Sequence, residues 1–220
     1  PWVEKGIRAL GFRHRWRIEV AAEDPIQTRF RRDARPMQQV AVEMARQVPG
    51  PGLLLVEAPM GEGKTEAALA AAEILAARFG PGGVFVALPT QATSNQMLGR
   101  VQSWIETLPG DSPQSLVLVH GKAAFNPDYA SLPGPADVGR DEPGKVSVES
   151  AEWFHASKRH LLAPFAVGTV DHLLLAAARV RFVQLRQLGL AGKVVVVDEV
   201  HAYDAHMQVF LRAALSWLSA

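Results

Sequence analysis

The 220-residue chain has no cysteine. That excludes a disulfide framework and any thiolate metal site, and it fits a reducing compartment, so a cytoplasmic location is expected. No apolar run approaches the ~20 residues that a membrane-crossing helix needs. Aliphatic stretches near the termini are short and broken by charge, so no signal peptide is expected. Net charge is also lacking, at a formal +1, and this total is not the basic excess of an obvious nucleic-acid binder. No internal repeat is found. The basic residues are unevenly spread, however. Residues 1–35 carry Lys5, Arg8, Arg13, Arg15, Arg17, Arg29, Arg31, Arg32 and Arg35 against five acids. This span reads as a basic lead-in or linker, either a solvated arm or a surface that meets phosphates.

From Pro36 the pattern becomes helical, with Met37, Val40, Ala41, Met44, Ala45 and Val48 on one face and Pro49-Gly50 as a stop. Short apolar runs at 53–57 (LLLVE), 84–88 (VFVAL), 116–119 (LVLV), 165–168 (FAVG) and 194–197 (VVVV) read as buried parallel strands. Helices are expected over 65–79, over 94–108 with Ser94 as cap, from about 148 to 162, after Gly168, and over 205–218. Residues 121–145 are rich in Gly, Pro and Asp and read as a loop insertion, with 126–145 expected to be mobile. Strands that alternate with helices imply a three-layer α/β fold with a parallel sheet. In such sheets ligands bind beyond the carboxyl ends of the strands.

Two stretches carry chemistry. EAPMGEGKTEAAL (Glu57–Leu69) lies between an expected strand and an expected helix. Gly61, Glu62 and Gly63 would curl the backbone so that its N–H groups face phosphate oxygens at a helix N-terminus. Lys64 would reach the β- and γ-phosphates, and the Thr65 hydroxyl would ligate Mg²⁺. Ala58 stands where the full pattern has its first glycine. The alternative is a ligand-free glycine turn, which leaves Lys64 unexplained. KVVVVDEVHAYD (Lys193–Asp204) ends an apolar strand in carboxylates. Asp198 would hold Mg²⁺ opposite Thr65, and Glu199 would orient and deprotonate a water that attacks ATP. The alternative is an Asp-Glu pair that caps the last helix. A metal site at His201, Asp204 and His206 is disfavoured, and His120, His155, His160 and His172 read as structural or surface residues.

With Asp-Glu-Val-His after such a phosphate loop, the chain resembles the superfamily 2 helicases in their Asp-Glu-x-His branch. LPTQATSNQM (88–97), VHG (119–121), VGTVDHLLLAA (167–177) and VVVVDEVHAYD (194–204) narrow the resemblance. Together they look like the helicase subunit of type I CRISPR systems, a helicase–nuclease recruited to a Cascade-marked target. The match covers roughly 34–220. It implies a P-loop NTPase fold, the first RecA-like lobe over 36–220, and action on single-stranded DNA with ATP and Mg²⁺. It further implies that Gln38 reads the adenine edge. Pro89, Thr90 and Gln91, and then Gly168, Thr169 and Asp171, would touch the DNA backbone. His201 would couple the ATP site to the second lobe. Thr90 and Thr169 could equally cap the helices that follow them. No His-Asp nuclease pattern, second RecA-like lobe or arginine finger is found, and the chain stops just before the family's Ser-Ala-Thr strand. The expectation is therefore one motor lobe of a larger protein, cut or split, with Cascade, the second lobe and a nuclease domain as partners. The same lobe of a restriction or repair helicase, or a P-loop ATPase with no nucleic-acid partner, are the alternatives.

Overall fold

A computed structural model describes residues 16–110, 114–132, 148–149 and 159–219. Helices α1 (Pro25–Phe30), α2 (Pro36–Gln47) and α3 (Lys64–Phe79) precede β1 (Val84–Leu88) and α4 (Gln91–Glu106). They are followed by β2 (Gln114–Val119), a 3₁₀ turn (Ala123–Phe125), α5 (Pro127–Ala130) and the two-residue β3 (Val148–Glu149). A second 3₁₀ turn (His160–Leu162), β4 (Phe165–Thr169), α6 (Asp171–Leu174) and α7 (Val183–Leu190) come next. The described chain closes with β5 (Val194–Val197), a 3₁₀ turn (Val200–Ala202) and α8 (Ala205–Leu218). The sheet order is β3–β2–β4–β1–β5, and every described pairing is parallel. Among the described helices none is long and apolar enough to cross a membrane.

Side chains of a strand alternate between faces, and the sheet is covered on both. Val84, Val86 and Leu88 of β1 join Leu98, Val101, Trp104 and Ile105 of α4 on one face. Phe85 and Ala87 meet Leu173, Leu190, Leu211 and Ala214 from α6, α7 and α8 on the other. The alanines of α3 let it lie close to two neighbours at once. Ala72 and Ala76 face the sheet, while Ala70, Ala71 and Ile74 pack with Val42 and Ala45 of α2 and with Ile26. Each fully buried large side chain contributes about 1.5–3 kcal/mol of burial free energy.

Several expectations are corrected by this structure. Residues 53–57 form no strand: Leu53 and Leu55 are 72% and 77% exposed, and Leu54 packs beside Val42 and Ala45. A strand exists only through a paired neighbour. The two edges of β1 are taken by β4 and β5, and no described strand pairs with the outer edge of β5. The Ser-Ala-Thr strand of the resemblance is not among the described residues. Residues 16–35, read as a lead-in outside the lobe, belong to its packing. Trp16 and Ile18 are core residues, and Trp16 stacks edge-on against Trp104 and Phe165 at 6.0 and 5.0 Å. Arg29 donates from Nε and Nη2 to the fully buried Glu73 of α3 at 2.8 and 2.7 Å, and Ala22 N–H donates to the same carboxylate.

Helix α4 starts at Gln91 rather than Ser94, because Thr90 and Thr93 cap it reciprocally. In the expected loop, Asn126 caps α5 and carries Tyr129 into the core. Residues 133–145, also expected to be mobile, lie outside the described residues. Of the helix expected over about 148–162, residues 150–158 lie outside them too, Val148–Glu149 is a strand on β2, and His160–Leu162 is a 3₁₀ turn.

Candidate nucleotide-binding site

The phosphate loop owes its shape to two left-handed glycines, Gly61 at φ 83° and Gly63 at φ 80°. Gly63 is also the N-cap of α3, so the first N–H groups of that helix open onto the loop. A Cβ on Gly63 would lie 2.2 Å from Gln38 Nε2. Gln38, on the first turn of α2, is buried. Its Oε1 accepts from Arg35 N–H at 3.0 Å and its Nε2 donates to Gly63 O at 3.1 Å. Arg35 Nη1 donates to Gly61 O. Lys64 Nζ donates to Ala58 O at 2.8 Å and to Pro59 O at 3.0 Å, which folds the lysine across its own loop.

β5 brings the carboxylates. Asp198 N–H donates to Ala87 O at 3.0 Å, extending the ladder by one residue, so Asp198 stands at the carboxyl end of the sheet. Its Oδ1 accepts from Glu199 N–H at 2.9 Å, and its carbonyl accepts from Tyr203 Oη at 3.1 Å. Burial, then the charges of Asp198, Asp171 and Glu199, push the Tyr203 phenol well above its usual range, so it remains a donor. Glu199 holds a left-handed φ of 54°, uncommon for a side-chain-bearing residue. Its Oε2 lies 3.2 Å from the Nε2 of the exposed His201. Asp204, not the Asp198–Glu199 pair, caps α8. No described group of three His, Asp or Glu residues can hold a metal.

One cleft of ≈ 270 Å³ gathers Gln38, Gly61, Gly63, Lys64 and Thr65 with Asp198 and Glu199. Glu62 is not on its wall and instead sits 3.9 Å from Arg35. An adjoining cleft of ≈ 560 Å³ shares Phe30, Arg32, Thr65, Glu66 and Arg100 with the first. Of these, Phe30, Arg32, Glu66 and Arg100 were not singled out from sequence as site residues, and neither was Arg35. Arg35 had a legible signal, three residues before Gln38 at a Pro-initiated helix start. Phe30, Arg32 and Arg100 had none, since only the packing of α1 and α4 against α3 brings them there. Thr65 and Asp198 offer hard oxygen donors on one cleft, the donor chemistry that suits Mg²⁺.

The residues expected to touch DNA lie apart from the cleft lining, at neighbouring strand ends. Pro89, Thr90 and Gln91 follow β1, and Gly168, Thr169 and Asp171 end β4 or follow it. Thr90 is occupied as the cap of α4, whereas Thr169 caps nothing and is buried. Gly168 is required by packing, since a Cβ there would meet Val119 O at 2.4 Å.

The family model described as DEAD/DEAH box helicase matches residues 35–218. The chain is 39% identical to the CRISPR-associated nuclease/helicase Cas3 of Streptococcus thermophilus, over 99% of this chain and 24% of that protein. It is 51% identical to the CRISPR-associated endonuclease/helicase Cas3 of Thermus thermophilus, over 77% of this chain and 19% of that protein. The crystal structure of T. fusca Cas3-ATP superposes with a TM-score of 0.81 at 38% identity, covering 98% of this chain and 22% of the solved one. A chain in the structure of a CRISPR RNA-guided surveillance complex, pre-nicking, is 38% identical with a TM-score of 0.53, over 81% of this chain and 16% of the solved one. The chain thus spans about a quarter or less of the proteins it matches.

Proposed function

The chain belongs to the DEAD/DEAH box helicase family, and from that membership we propose that it is the nucleotide-binding first lobe of an ATP-dependent single-stranded-DNA translocase acting in CRISPR interference. The observation that carries the ATPase part is the single cleft that joins Lys64 and Thr65 to Asp198 and Glu199 across more than a hundred residues of sequence. The CRISPR part is supported by the relatives, whose names describe CRISPR-associated helicases. Cascade and a nuclease domain are the partners in this reading.

ATP supplies the phosphoanhydride, and Mg²⁺ would be held by Thr65 and Asp198. The chain's own groups then act by position and charge. The α3 N-terminus and Lys64 neutralise phosphate oxygens, which means the ammonium turns from Ala58 O and Pro59 O toward the ligand. Glu199 orients a water and accepts its proton. Gln38 uses one amide hydrogen and one lone pair on protein, which leaves a second of each for an adenine edge. That arrangement would make base recognition and loop shape one linked event. The contact from Glu199 to His201 gives the base a path to a second lobe. Thr90, Gln91, Thr169 and Asp171 would grip the DNA backbone without reading sequence.

The test is ATP turnover by the intact protein with and without single-stranded DNA. Lys64→Ala should lower turnover by at least ~10²-fold, the scale for losing one charge-stabilising donor. Asp198→Asn should do the same through Mg²⁺, and Glu199→Gln should retain bound ATP without hydrolysing it. Parental turnover in the Lys64 variant would overturn the site, and turnover indifferent to DNA would overturn the translocase.

A further inference from the structure

Phe125 is 86% exposed, yet it does not sit on a loose loop. Its 3₁₀ turn is closed by Ala123 N–H to His120 O at 3.2 Å, Phe125 N–H to Lys122 O at 3.0 Å and Asn126 N–H to Ala123 O at 3.0 Å. On the far side the buried Asn126 accepts from Tyr129 N–H at 2.9 Å, and Tyr129 and Leu132 are core residues. On the near side His120 Nδ1 accepts from Lys122 N–H at 3.2 Å. That bond fixes the tautomer, so Nε2–H donates to Asn95 Oδ1 at 2.9 Å. Asn95 belongs to α4, the helix that Thr90 caps. The turn is therefore tied to the first turns of α4 and stands at the carboxyl end of β2, the strand paired with β4 and its Gly168–Thr169 end.

We propose that Phe125 is a stacking platform for one base of a nucleic-acid single strand, with Lys122 beside it for the adjoining phosphate. The inference rests on the nucleic-acid reading above and deepens it. Every base has a π-face, so stacking on an aromatic ring grips a strand without reading its sequence, as translocation requires. Between Gly121 and Asn126 the only charge is that of Lys122, and the next is Asp128, exposed on α5. Among the described residues from 61 to 179, Phe125 is the only exposed large hydrophobic side chain. A protein contact draws its affinity from a desolvated cluster of anchors, which one exposed ring does not supply.

The experiment is equilibrium binding of the intact protein to an oligothymidine strand and to an abasic strand of the same length, by fluorescence anisotropy. Phe125→Ala should weaken oligothymidine binding by roughly 5- to 150-fold and leave abasic binding unchanged, and Phe125→Trp should restore the parental value. Lys122→Gln should weaken both strands and flatten the salt dependence by about one contact. Parental binding of both strands by Phe125→Ala would overturn the proposal, because the ring would then serve another partner or none. An equal loss on both strands would also overturn it, since the turn and not the stack would have been lost. If the parental protein binds neither strand, the nucleic-acid reading itself fails, an outcome distinct from the other two.

Discussion

A methyl group at position 63 would have to displace the Gln38 carboxamide and would hold a left-handed backbone at φ 80°. A side chain in that region costs on the order of 1–2 kcal/mol before any clash. Gly63→Ala should therefore detach Gln38 from the loop and weaken ATP binding by at least tenfold in calorimetry, whereas Gly61→Ala meets no neighbour and should show the backbone term alone. His172 gives a residue-scale prediction of a different kind. Burial, then the positive charges of His160, Arg186 and His120, lower its pKa from 6.5 to about 4. The unfolded chain then binds more protons than the folded one between about pH 4 and 6.5, so stability rises with pH through that window and is lost as pH falls. Urea unfolding at both ends of the window should differ by on the order of 2–3 kcal/mol from this group, and His172→Gln should flatten the dependence. An unchanged slope in the variant would assign the acid sensitivity elsewhere.

At the scale of elements, the apolar runs at 84–88, 165–168 and 194–197 were legible because strands covered on both faces carry no polar alternation. The same rule misread Leu53–Glu57. Apolarity marks a segment that can be buried, but a strand needs a paired edge, and pairing is a property of distant residues. The packing of residues 16–35 was hidden for a similar reason. Arg29 looks like one basic residue among many until Glu73, 44 positions away, buries its carboxylate beneath it. Removing one partner of a buried pair leaves a charge without compensation and costs roughly 3–5 kcal/mol. Glu73→Ala should lower the midpoint of thermal unfolding and expose the segment before α2 to proteolysis. Replacing Arg29 and Glu73 together by Met and Leu should recover most of the loss. Lys64 and the Asp198–Glu199 pair, which line one cleft, could be picked out because each lies in a short stretch of characteristic local spacing. Phe30, Arg32 and Arg100 were not, since only helix packing delivers them to the cleft.

For the whole molecule, the balance between holding ATP and cleaving it can be argued from which groups the chain brings together. The groups proposed to bind the ground state, the loop with Lys64 and Thr65 and the pair Asp198–Glu199, share one cleft. Of the other cations there, Arg35 is engaged with Gly61 O, and Arg100 is paired with Glu66 at 2.9 Å. Hydrolysis also needs charge stabilisation of the transferring phosphoryl group, and the helicase resemblance places that arginine on a second lobe. Such a residue contributes ~10³–10⁵ in rate, roughly 4–7 kcal/mol of barrier. Residues 1–220 alone should therefore bind Mg²⁺-ATP yet hydrolyse it slowly. Binding itself should be weak. β5 carries Asp198 on an edge with no described partner on its outer side, and the segment leading into the phosphate loop is unpaired as well. Calorimetry gives the affinity, and phosphate release with and without single-stranded DNA gives the rate. The lining contains one rival, Arg32, for which no hydrogen bond or ion pair is described. If Arg32 were the catalytic cation, residues 1–220 would turn over several times per second with DNA and Arg32→Ala would abolish it. Slow turnover in both, with affinity retained, would place the catalytic arginine outside these residues.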